Sequence, residues 1–250
     1  MFRFDNRIFY IIIGILIIFS LASYLQNPAS LMNLILTIPA VLIAITFHEF
    51  AHAFAADKLG DDTPRRQGRL TLNPLAHLDP IGSILLLFAG FGWGKPVEID
   101  SRNFTRKISQ SAGDAIVSIA GPLMNIILAF VFTLIDCIII KFAPYNFLVS
   151  NVGLVIRSLI SITAVINVGL GIFNLIPLPP LDGSKILRHF LPYNAKVWMD
   201  RNGHIFYIVF IAIWITGIAG WIISPIINAT YSGILWLCSH LLGIGGTFLL

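Results

Sequence analysis

Apolar residues run through this chain in long blocks, and the polar positions gather between them. A helix crosses a bilayer with about 20 consecutive apolar residues. Six stretches have the length for it: 8–25, 31–56, 115–140, 149–173, 205–223 and 227–250, with Ser224-Pro225 read as the turn between the last two. A seventh, 81–91, is too short to span and is expected to be a re-entrant or interfacial piece. The following stretch, 92–100, carries Gly and Pro punctuation and a brief polar alternation, which predicts a small membrane-associated β-hairpin. Arg3 and Arg7 precede the first block, as in a signal peptide. Its apolar run outlasts the roughly 7–15 residues of such a signal, so it reads as a retained helix. The pattern therefore predicts an all-α polytopic membrane protein. It forms a single integral membrane domain over 1–250, with a core at about 31–192 and peripheral helices at 8–25, 205–223 and 227–250.

Composition sharpens this picture. The chain is 57% hydrophobic and 11% charged, against about 25% charge in soluble domains, and its mean hydropathy of +0.87 excludes a soluble fold. The net charge of +4 does not indicate a nucleic-acid partner, because the bases mark orientation instead. Fourteen of the sixteen Lys and Arg residues lie in the amino-terminal tail and in the loops 57–114 and 174–204, leaving Lys141 and Arg157. Six crossings place all three stretches on one side, so both termini are expected in the cytoplasm, with the cell (plasma) membrane as the location. Cys137 and Cys238 sit in apolar runs and read as packing residues.

The chemistry lies inside the second block. His48-Glu49-Phe50-Ala51-His52 is flanked by apolar residues on both sides, and burying two imidazoles and a carboxylate there is costly without compensation. Residues i and i+4 share a helix face, so His48 and His52 can grip one Zn2+ ion. Glu49 stands beside them, placed to take a proton from water. Catalytic zinc sites use three protein ligands and keep one open position. His48 lies about 12 Å below the cytoplasmic end of its helix at 1.5 Å per residue, so the third ligand must reach membrane depth. The stretch Asn174-Leu-Ile-Pro-Leu-Pro-Pro-Leu-Asp-Gly183 suits that task. Its prolines forbid a regular helix, and irregular backbone at that depth must line a cavity or be packed in protein. Asp182 is the expected ligand, with His77 and His189 as alternatives. Asp114 is expected to cap the third block. Asn125 is either a substrate contact or a helix–helix hydrogen bond, and His240 is expected to be packed or to face the bundle.

Together with Gly121-Pro122-Leu123-Met124-Asn125, these motifs resemble the site-2 protease family of intramembrane zinc metalloproteases, in a compact form without PDZ or CBS domains. The resemblance covers about residues 34–192. It implies that His48, His52 and Asp182 bind zinc and that Glu49 is the general base. It implies that Asn174 contacts substrate or the developing oxyanion, and that Gly94 and Pro96 belong to a sheet holding substrate in extended form. The implied activity is hydrolysis of peptide bonds within the transmembrane segments of membrane-anchored proteins, with that substrate and the lipid bilayer as partners. Oligomeric state is left open. Two other readings compete. A membrane metalloprotease acting on exposed termini would take a later glutamate as ligand, and no glutamate follows Glu98. A zinc-binding transporter without hydrolytic activity would also use broken helices and buried ligands, but would have no need of Glu49 as a base.

Overall fold

The computed structural model describes residues 26–89, 94–105 and 107–244, with a few isolated positions before them. The expected first helix, positions 90–91 of the expected re-entrant piece and positions 92–93 of the expected hairpin lie outside the described residues. Helix α1 spans Pro28–Leu59, a short α2 spans Pro80–Ala89, and α3 spans Gln110–Phe142. Helix α4 spans Asn151–Asn174. Two nine-residue helices follow, α5 at Asp182–Phe190 and α6 at Tyr193–Arg201. Helix α7 spans Gly203–Ile215 and α8 spans Ile218–Leu241. The chain is mostly helical, and α1, α3, α4 and α8 are long and apolar enough to cross a membrane. Among the described residues, the only β pairing is one antiparallel bridge between Leu78 and Gly94.

Caps define the long helices. Asn27 accepts hydrogen bonds from the amides of Ala29 and Ser30 at the start of α1, with Pro28 in the first turn. Ser109 caps α3, so that helix starts five residues before the expected block, and Asp114 is not its cap. Asp114 lies within the helix and accepts from the Ser101 hydroxyl at 2.5 Å. Helices α1, α3 and α4 pack on one another, and small residues let them approach. Ala40, Ala44, Ala129 and Ala164 are completely buried. Many large apolar side chains of these helices, among them Ile35, Leu123, Ile127 and Leu154, face outward, as lipid contact requires.

Helix α8 packs along α3 and α4, and its direction departs from expectation. The turn falls at Thr216-Gly217, where Gly217 takes a φ of 73°, and Pro225 is carried inside α8. The preceding helix α7 is left with 13 residues, about 20 Å at 1.5 Å per residue, short of a bilayer's roughly 30 Å. Lys141 at the end of α3 donates to the Leu242 carbonyl at 2.6 Å. Ser161 of α4 meets Tyr231 of α8 at 3.3 Å. The end of α8 therefore lies beside the end of α3, at the pole of the bundle opposite the loop that joins α1 to α3. Asp136 and Arg157 pair near that same pole, at 2.9 Å. His240 is exposed there and stacks on Trp236 instead of facing the bundle.

Candidate metal centre

The last third of α1 carries His48, Glu49 and His52. One turn of helix brings the two imidazoles together, with Nε2 atoms 3.1 Å apart. Between α4 and α5 the chain runs through Leu175–Leu181 without regular helix, and Asp182 opens α5. Its Oδ2 lies 3.2 Å from His48 Nε2 and 3.1 Å from His52 Nε2. The three donor atoms thus form a nearly equilateral triangle. Tetrahedral zinc with ligand distances of about 2.0–2.1 Å spaces its donors ~3.3 Å apart, so this nitrogen, nitrogen, oxygen set fits zinc in kind and in size. Both histidines are buried, and Asp182 is 9% exposed. Among the described residues, this is the only group of three His, Cys, Asp or Glu side chains close enough to share an ion.

Each histidine is fixed from behind. Asn125 Oδ1 accepts from His48 Nδ1 at 2.6 Å, and the Val117 carbonyl accepts from His52 Nδ1 at 2.7 Å. A proton on each Nδ1 leaves each Nε2 lone pair free for a metal. The Gly121-to-Asn125 motif on α3 now has a physical reading. A Cβ on Gly121 would stand 2.4 Å from His52 Nε2 and 2.8 Å from His48 Cε1, so only glycine lets α3 lie this close to the pair. Asn125 is completely buried and donates to the Ala44 carbonyl at 3.0 Å. It links α3 to α1 behind His48. Gly183 plays a spacing role in the second motif. A Cβ there would come within 2.2 Å of the Leu175 carbonyl oxygen, and this close packing brings Asp182 to the triangle.

Glu49 Oε2 accepts from the Val97 amide at 3.2 Å. The segment after Gly94 therefore lies against α1 at the level of the motif. A Cβ on Gly94 would meet Ile45 Cγ2 at 2.9 Å and approach Glu49 Oε1 to 3.7 Å. Pro96 is exposed beside it, and the Lys95 amide donates to the His77 carbonyl. The Asn174 amide donates back to the Leu170 carbonyl, one turn up its own helix, and makes no hydrogen bond with the triangle. His77 is buried against the Thr71 carbonyl, and His189 meets Ser111. Neither enters the cluster. Sequence reasoning missed the Val97 amide and the Val117 carbonyl, because a backbone group carries no residue signature.

A profile of peptidase family M50 matches residues 141–217. The chain is 40% identical over 217 residues to "Putative zinc metalloprotease YwhC" of Bacillus subtilis, a match covering 86% of this chain and 95% of that protein. The chain belongs to peptidase family M50, the site-2 protease family. Two more distant relatives are each 28% identical. "Putative zinc metalloprotease Rip2" of Mycolicibacterium smegmatis matches over 85% of this chain and 78% of its own length. "Putative zinc metalloprotease MJ0611" of Methanocaldococcus jannaschii matches over 84% and 98%. No solved structure matches. The family profile begins at the end of α3 and includes the proline-rich stretch with Asp182, whereas the alignment with YwhC extends over most of the chain.

Proposed function

We propose that this chain is an intramembrane zinc metalloprotease of the His-Glu-x-x-His type, which cleaves membrane-anchored proteins within or beside their transmembrane segments. The observation that carries the reading is the closed triangle of His48, His52 and Asp182 with Glu49 adjoining it, supported by the M50 relationship. Zinc, when bound, supplies Lewis acidity that makes water nucleophilic near neutral pH and polarises the scissile carbonyl.

The rest is work for the chain's own side chains. His48, His52 and Asp182 hold the ion, with Asn125 and Val117 keeping both imidazoles in the Nδ1–H tautomer. Glu49 takes a proton from the attacking water and returns it to the leaving nitrogen. The Val97 amide holds Oε2 of that carboxylate, which leaves Oε1 for the water. Asn174 is read as a contact for substrate or the developing oxyanion, and the edge at Gly94 and Pro96 as a partner for an unwound substrate strand. The basic loops are read as cytoplasmic, which puts the Leu242 end of α8 on the outer face of a plasma membrane.

Substitution at Glu49 tests the reading against a zinc-binding transporter. Glu49→Gln protein is expected to retain stoichiometric zinc and to lose cleavage of a co-expressed single-pass substrate by about 10²–10⁴-fold. Cleavage that persists at the wild-type rate removes Glu49 as the base. Asp182→Asn is expected to lower the zinc content of purified protein, and unchanged zinc takes Asp182 out of the ligand set.

A further inference from the structure

Behind His48 a line of polar side chains crosses three apolar helices. Asn167 on α4 is completely buried, as is Asn125. Asn125 Nδ2 donates to two acceptors, the Ala44 carbonyl at 3.0 Å and Asn167 Oδ1 at 2.9 Å. Asn167 Nδ2 donates to the Thr163 carbonyl at 2.8 Å. Both ends of this line are backbone carbonyls, which can only accept. The Thr163 carbonyl therefore turns the Asn167 nitrogen toward itself and its oxygen toward Asn125. Facing Ala44 and Asn167, Asn125 meets two acceptors and must present its nitrogen to both. Its oxygen is left for His48 Nδ1, at 2.6 Å. Turned the other way, the Asn125 oxygen would oppose two acceptors.

We infer that Asn167 is a positioning residue for the metal site, setting the amide orientation of Asn125 and through it the tautomer and aim of His48. The inference rests on the reading of His48 as a zinc ligand. Outer partners of ligating histidines typically change metal affinity by 10–100-fold when removed, and Asn167 stands one bond further out.

The test is zinc affinity of the purified full chain, measured by chelator competition, with Co2+ visible absorption as a second readout of ligand geometry. Asn167→Leu keeps the volume and removes the acceptor. It is expected to weaken Zn2+ binding about tenfold and to alter the Co2+ spectrum. In an Asn125→Ala background the same substitution is expected to add no further loss. Asn167→Asp keeps an oxygen toward Asn125 and is expected to retain near wild-type affinity. Wild-type affinity for Asn167→Leu, or a loss that repeats in full on the Asn125→Ala background, overturns the relay. Should the leucine variant not fold, Asn167→Ala beside Asn167→Asp makes the same comparison, and equal weakening in the two overturns it. These failures leave the ligand assignment standing. That assignment fails separately, and takes this inference with it, if His48→Ala binds zinc as tightly as wild type or if the wild-type protein binds none.

Discussion

Gly121 contributes no side chain, and the geometry of the candidate metal centre depends on that. A methyl group there would collide with both imidazoles at 2.4–2.8 Å, and neither ring can retreat, because each is bonded through Nδ1 to α3 itself. Gly121→Ala is therefore expected to cost most of the bound zinc while the helices still form, as metal analysis beside circular dichroism will show. That His48, His52 and Asp182 come together was legible from their setting: two imidazoles one turn apart in an apolar helix, and an acid delivered by a stretch that proline keeps out of helix. Asn125 was legible as a polar residue needing a partner, but which partner depended on how α3 faces α1. Asn167 carried the same signal, an amide inside an apolar block, and went unread. The amide of Val97 and the carbonyl of Val117 were beyond reach, since any residue would have supplied them.

At the scale of elements, one buried acid helps to tie the site loop to the end of α1. Asp61, just past the end of α1, is completely buried. It accepts from the Asp100 amide at 2.7 Å, from Asn103 at 2.9 Å and from the Thr63 hydroxyl at 2.5 Å. These bonds hold the far end of the segment that presents Val97 to Glu49. Burial works to raise the Asp61 carboxyl, but hydrogen bonds from Asn103, Thr63 and the Asp100 and Thr63 amides outweigh it and hold it below the usual carboxylate range. The stability this adds is present above the unfolded value of about 3.9 and is lost as pH falls through the lower folded value. Asp61→Ala is expected to destabilise the protein by about 1–3 kcal/mol near neutral pH, with several donors left unpaired. The gap between wild type and Asp61→Asn in detergent unfolding should close below about pH 4. Element boundaries were the least legible feature of the sequence. Ser224-Pro225 has the composition of a turn, yet proline is tolerated inside apolar helices, and the break went to the glycine that could adopt a left-handed backbone. The extra turn of α3 before Ala115 was hidden because its first residues are polar.

Across the whole molecule, that one displaced turn changes the parity of the chain. With α7 too short to cross, α8 runs in the same direction as α3 and ends beside Lys141. A reporter enzyme active only outside the cytoplasm, fused after residue 244, is expected to be active, and the same reporter in the loop before α3 is expected to be silent. The opposite pattern overturns the proposed orientation. Apolar blocks announced the membrane, and the basic loops marked a common side. Direction at the carboxyl end could not be read from either, because it depends on which helix packs against which. The triangle has a consequence in time as well as in space. Its first two corners are made early and its third more than a hundred residues later, so on the proposed ligand set a ribosome still short of residue 182 would have threaded a harmless protein into the lipid. On the proposed ligand set, hydrolytic competence would arrive only after three of the long helices have been made, and a prematurely terminated chain would stay inert among its neighbours.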